Sequence, residues 1–184
     1  MPNWNGLIIT HKGRELQAKV EAGKTTLNLT KMKLGAGALP GGQELEDLTD
    51  LVEPKQNVGI ASKEVMKDGL CKISAIISNH DLNAGYYIRE LGVFAEDPDV
   101  GEILFAVTSD TAPDYLAAAG GATVVSQEFA VYIAVSNAAD IKATIDPAAL
   151  ATMGYVDLTL HEYVKVFDKS NDISNKSGIM VELV

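Results

Sequence analysis

From residue 58 to residue 136 the chain reads as a series of strands, several with apolar side chains on alternate positions, and that period of two commits the middle of the chain to β-structure. Cys71, Ile73, Ala75 and Ile77 share one face of a strand. Val58, Ile60 and Met66 share one parity in the strand before it, and Lys67-Asp68-Gly69 reads as the hairpin turn between the two. Residues 86–94 read as a third strand, which Glu96-Asp97-Pro98-Asp99-Val100-Gly101 turns into a fourth over residues 102–107. A polar, Ala/Gly-rich loop over 109–121 leads to the longest strand, residues 122–136. There Val125, Phe129, Val131, Ile133 and Val135 fall on one face, and Glu128, Ala130, Tyr132 and Ala134 on the other. Ile141, Ala143 and Ile145 make a short last strand.

Helical signals flank this block. Thr10 is placed to cap a helix from His11 that carries Leu16 and Val20 on one face and stops at Gly23. Gly13 lowers its propensity, so tertiary contacts must hold it. Leu27 and Leu29 then alternate on odd numbers, Met32 and Leu34 on even ones, and a bulge near Thr30-Lys31 absorbs the slip. Residues 35–42 read as a loop and 44–51 as a helical turn. Asp146-Pro147 is a helix start, and Val156, Leu160, Tyr163 and Phe167 follow at i, i+4, i+7 and i+11, one apolar stripe. The expected fold class is α+β: a mostly antiparallel β-sheet with an N-terminal helix and a C-terminal helix able to bundle about a threefold axis. The expected division is 1–147 for the domain, 148–167 for the helix and trimerisation segment, and 168–184 for a polar linker and strand-like tail.

Composition narrows the chemistry. The 184 residues carry a net charge of −10. That surface repels phosphate backbones and anionic lipid, so neither nucleic acid nor membrane is an expected partner. Cys71 is the only cysteine, which excludes an internal disulfide and fits a small buried hydrophobe. Met1-Pro2-Asn3-Trp4-Asn5-Gly6 lacks the regions of a signal peptide, and the longest apolar run, residues 130–135, is far short of the ~20 residues of a span. The expectation is synthesis in the bacterial cytoplasm and export only by lysis or within a particle.

Catalytic constellations do not emerge. His11, His80 and His161 lack zinc spacing. Gly35-Ala36-Gly37-Ala38-Leu39-Pro40 fits neither a P-loop nor a dinucleotide fingerprint. Asp97, Asp99 and Glu102 read as a hairpin turn sooner than as a calcium site. Arg89 and Glu90 face opposite sides of a strand, and each is expected to meet a charge on a neighbouring strand or chain. No catalytic, cofactor-binding or metal-ligating residue is expected, and the chain does not read as an enzyme.

Three stretches resemble one family. Trp4-Asn5-Gly6-Leu7-Ile8-Ile9-Thr10-His11-Lys12-Gly13-Arg14-Glu15-Leu16-Gln17-Ala18-Lys19 resembles the start of phage tail-collar fibre proteins. Leu29-Thr30-Lys31-Met32-Lys33-Leu34-Gly35-Ala36-Gly37 is similar to the family's next strand and glycine stop. Tyr86-Tyr87-Ile88-Arg89-Glu90-Leu91-Gly92-Val93-Phe94-Ala95-Glu96-Asp97 is similar to its most distinctive motif, and Val135-Ser136-Asn137 and Ile145-Asp146-Pro147 fit as well. The resemblance covers about residues 4–165 and implies the N-terminal, baseplate-attachment domain of a homotrimeric tail fibre of a phage or prophage. Few residues follow Phe167, so a short adaptor, a connector for another protein such as a distal fibre subunit, and a truncated fibre are the expected variants.

On this reading Trp4, Leu7 and Ile8 are the expected baseplate contacts, and Val156, Leu160, Tyr163 and Phe167 the oligomerisation stripe. The alternative is a carbohydrate-binding module at the host surface, which would use Tyr86, Tyr87 and Tyr115 as exposed, grouped aromatics.

Overall fold

The computed structural model describes residues 4–66, 70–120, 126–134, 141–147 and 149. They belong to a unit spanning Met1–Leu150. The stripe of Val156, Leu160, Tyr163 and Phe167 lies outside the described residues, as do the Lys67-Asp68-Gly69 turn and the tail.

In chain order the elements are β1 (Ile8–Ile9), α1 (His11–Glu21), β2 (Asn28–Gly35), a 3-10 turn (Leu45–Asp47), β3 (Pro54–Gly59), β4 (Ser62–Val65), β5 (Leu70–Ser78), β6 (Tyr86–Tyr87), β7 (Glu90–Asp97), β8 (Gly101–Ser109), β9 (Tyr115–Leu116), β10 (Ser126–Ala134) and β11 (Lys142–Ala143). A six-stranded sheet runs β1-β8-β7-β2-β11, with β3 also on β2. A three-stranded sheet runs β10-β5-β4, and β6 and β9 form a ribbon of two.

The helix begins where the cap signal puts it. Thr10 Oγ1 accepts the Gly13 amide at 3.0 Å and donates to the Leu104 carbonyl at 2.5 Å, so one hydroxyl caps α1 and ties it to β8. Gly13 has a packing reason as well. A Cβ there would strike the Phe105 carbonyl oxygen and come within 2.8 Å of Ile9 Cγ2, so the helix seats its glycine directly on the sheet. Leu16 is fully buried beneath it.

The expected bulge lies between Leu29 and Lys31, where the register of β2 on β7 shifts. It divides the other edge of β2 between two strands. Lys31–Gly35 pairs with β3 antiparallel, while Asn28 and Leu29 pair with Lys142 and Ala143 of β11 in parallel. The last strand signal is therefore real, and it is the one parallel ladder among the described strands.

Two strand readings and one loop reading need correction. Residues 86–94 are not one strand. Tyr86–Tyr87 pairs with Tyr115–Leu116, a strand inside the segment read as loop, and β7 starts afresh at Glu90. The break falls where Ile88 N donates to Asp114 O and Arg89 N to Gly35 O, each amide taking a different neighbour. Likewise Val58 and Ile60 end one sheet's strand, and β4 starts another sheet after Ala61. Met66, past that change, is 41% exposed instead of sharing the buried face.

The core forms between the two larger sheets and under α1. It contains Leu16, Leu29, Met32, Ile73, Ile77, Val93 and Phe105, with Phe129 and Val131 packed at its edge. Each such side chain, once buried, contributes roughly 1.5–3 kcal/mol. Cys71 sits in this core, and burial raises its thiol pKa, as a small inert hydrophobe requires. The opposite face of β7–β8 is covered by the 44–53 segment, whose Leu45, Leu48 and Leu51 pack on Phe94, Leu104 and Val107. The central strand β7 is thus buried on both faces.

Candidate interaction surface

The motif at residues 86–94 is mostly scaffold. Tyr86, Ile88, Glu90, Leu91, Gly92 and Phe94 are buried, Arg89 is half-buried and Tyr87 is exposed. The buried Tyr86 hydroxyl donates to Gln56 Oε1 at 3.1 Å, and burial pushes its pKa up to about 12.

Glu90 departs from the expected ion pair. Its carboxylate is 3% exposed and receives three backbone amides: Val52 N on Oε1 at 2.8 Å, and Gly37 N and Glu53 N on Oε2 at 2.8 and 3.1 Å. The first residue of β7 thereby staples two loops that would otherwise present orphan donors. The charge is stabilised by amide dipoles in place of a cation. This also explains the glycine stop after β2. A Cβ at Gly35 would run into Glu90 Oε2, and one at Gly37 would lie 2.6 Å from the same oxygen. Two of the three family-like stretches are therefore halves of one structure.

Next to this junction the β6–β9 ribbon turns Tyr86 and Leu116 inward and Tyr87 and Tyr115 outward. The two outward rings are 51% and 57% exposed, lie 5.1 Å apart and meet at 60°. Arg89 lies over Tyr87, 5.8 Å from the ring centroid. Gly85 makes room, since a Cβ there would abut the Tyr115 hydroxyl. Two exposed aromatics on the ribbon, with the arginine just past it over one ring, have the composition of an interface hot spot.

The N-terminal candidates are partly enclosed by their own domain. Trp4 packs edge-on against Phe129 at 6.0 Å, and Leu7 joins the core margin. Ile8 is half-buried in β1, opposite Val107.

Elsewhere the acidic turn is held by a lysine. Lys19 Nζ reaches Asp97 at 2.7 and 2.8 Å and Asp99 at 2.7 Å, and Asp97 Oδ1 accepts the Asp99 amide at 2.9 Å. The Lys19 hydrogen bond holds the Asp97 carboxyl below its usual value despite burial, and Asp97 correspondingly raises Lys19. Glu102 meets Lys31 at 2.6 Å and Thr30 at 2.7 Å. Burial opposes its ionisation, but those two hydrogen bonds together with the charges of Lys31 and Lys33 outweigh it and lower its pKa. The three acids read as a hairpin are a hairpin, with Gly101 at φ 85° closing it. Among the described residues no group of three or more His, Cys, Asp and Glu could hold a metal ion, and no helix is long and apolar enough to cross a membrane.

Sequence reasoning grouped Tyr87 with Tyr115 only in the sugar-binding alternative and missed the strand pairing that joins them, as it missed the Glu90 staple. The available signals were a lone acid entering an apolar strand and two glycines fifty residues upstream. A family model described as phage tail-collar fibre protein, N-terminal, matches residues 1–153. No curated protein and no solved structure matches the chain.

Proposed function

The chain belongs to the phage tail-collar fibre family, and on that premise we propose that it is a structural protein of a phage or phage-derived tail that docks on the baseplate and self-associates as a homotrimer. The observation that carries the docking part is the fate of the 86–94 motif. Its buried residues stiffen a two-faced sheet and hold two loops, while Tyr87, with Tyr115 opposite, stands out as a fixed aromatic anchor. Rigid aromatics lose little side-chain entropy on binding, which suits a joint that must hold under load. Trp4, Leu7 and Ile8 are proposed as secondary contacts, because part of their apolar surface is already covered within the domain. Self-association is assigned to Val156, Leu160, Tyr163 and Phe167, whose spacing suits a bundle on a threefold axis. A distal fibre subunit is the proposed partner of the C-terminal tail.

The test is immunogold labelling of particles released by the encoding strain, with antibody against this chain. Label at the tail end is expected, and its loss when Tyr87 and Tyr115 are both replaced by alanine. Unlabelled wild-type particles would refute the assignment. Light scattering on the purified chain tests the trimer. A mass of three chains is expected, falling to one in Leu160→Asp/Tyr163→Asp.

One observation favours the carbohydrate-binding alternative: Tyr87 and Tyr115 are exposed and grouped. Tyr86, the third member of that reading, is buried and unavailable to a sugar. A glycan array with no Tyr87-dependent binding would dismiss it.

A further inference from the structure

Two sheet edges end at one groove. β4 closes the three-stranded sheet and β11 the six-stranded sheet, and each is paired along one side only among the described strands. Ser62 and Lys63 of β4 and Lys142 and Ala143 of β11 line an open groove of about 660 Å³ between them. Asn28 and Ile145 line it too, and Ile145 is 46% exposed. Lys63 Nζ crosses to the Ile141 carbonyl at 2.6 Å, which fixes its ammonium at the groove wall.

The charge of this groove runs against the chain as a whole. Acids outnumber bases 25 to 15 over the sequence, yet among the described residues the lining holds two lysines and no carboxylate. Strand edges offer backbone donors and acceptors to an extended peptide, and apolar and charged neighbours select its alternate side chains. We propose that this groove binds an extended, acidic segment of a partner protein by strand addition, with apolar side chains toward Ile145 and carboxylates toward Lys63 and Lys142. Groove and tyrosine ribbon share no residue, so the two assignments stand or fall separately.

The probe is a fluorescein-labelled ten-residue peptide of alternating valine and glutamate, titrated by anisotropy into the full chain. Saturable binding that weakens with added salt is expected. Lys142→Glu should weaken it, and Lys63→Glu/Lys142→Glu by about tenfold or more. N-methylation of alternate peptide amides should weaken it comparably, because it removes ladder donors without touching charge. Lys63 holds the Ile141 carbonyl, so far-UV circular dichroism must match wild type for the double variant; Lys142→Glu alone serves if it does not. Absence of saturable binding, equal binding of a valine–lysine peptide, or indifference to Lys142→Glu would overturn the proposal. Salt-sensitive self-association lost in Lys142→Glu, with no peptide bound, would reassign the groove to a second copy and overturn it as stated.

Discussion

Replacing Glu90 by glutamine keeps the shape of the side chain and one of its two acceptor oxygens. The native carboxylate satisfies Val52 N with one oxygen and Gly37 N and Glu53 N with the other. The substituted amide would keep the two bonds on one oxygen and turn its NH2 group toward the Val52 N–H, two donors face to face. Losing a hydrogen bond to a charged group costs roughly 1.5–3 kcal/mol, and leaving a buried donor unpaired costs roughly 1–3. These penalties overlap, so Glu90→Gln should lower the unfolding free energy by about 2–4 kcal/mol. Urea unfolding followed by Trp4 fluorescence and far-UV circular dichroism measures it, with the midpoint falling at unchanged slope. Hydrogen exchange localises it: the amides of residues 37, 52 and 53 should exchange faster than those of β5. Arg89→Gln is the control, since the adjacent arginine is half-buried and stacked on an exposed ring, and it should cost under ~1 kcal/mol. If Glu90→Gln came within ~0.5 kcal/mol of wild type, the staple would not be what holds the two loops.

Other consequences are equally direct. Gly13→Ala normally gains about 1 kcal/mol in a helix, but here the added methyl would strike the Phe105 carbonyl, so thermal unfolding should show destabilisation. Asp97 has a folded pKa below its ordinary 3.8, so its contribution is present above that value and lost as pH falls through the folded one. Asp97→Asn should therefore flatten the acid limb of a stability–pH curve while leaving its upper part parallel to wild type. Cys71 is fully buried with a raised thiol pKa, so iodoacetamide should label it only as fast as the chain opens. Labelling of native protein at the rate of a free thiol would contradict the core placement.

Local rules are legible where a single segment decides the outcome. The Thr10 cap, the glycine stop, the bulge at Thr30 and the inward face of residues 129, 131 and 133 all follow from spacing along the chain. What is not legible depends on residues far apart. Residues 86–94 look like one strand because no proline or turn pair interrupts them, but the amides of Ile88 and Arg89 are claimed by Asp114 and Gly35. Tyr87 and Tyr115 meet only because a two-residue strand forms inside a stretch whose Pro, Gly and Ala content reads as loop. Glu90 invites an ionic partner because charge suggests charge, whereas loops folded over a strand end can offer three amides instead. The stripe of Val156, Leu160, Tyr163 and Phe167 lies beyond the described residues.

The divided edge of β2 has a mechanical side. Tension applied to the chain beyond Asp146 falls first on β11, the outer strand at this end of the larger sheet. It enters through Lys142 N on Leu27 O, Thr144 N on Leu29 O and Asp146 N on Ile60 O, at 2.7, 2.8 and 3.1 Å. Two of these acceptors lie on or beside β2, which is laced along its far side to β7. A pull on the chain there is thus passed from β11 through β2 to β7, inside the larger sheet. The register shift between Leu29 and Lys31 is what leaves room for that entry, because it divides this edge of β2 between β11 and β3.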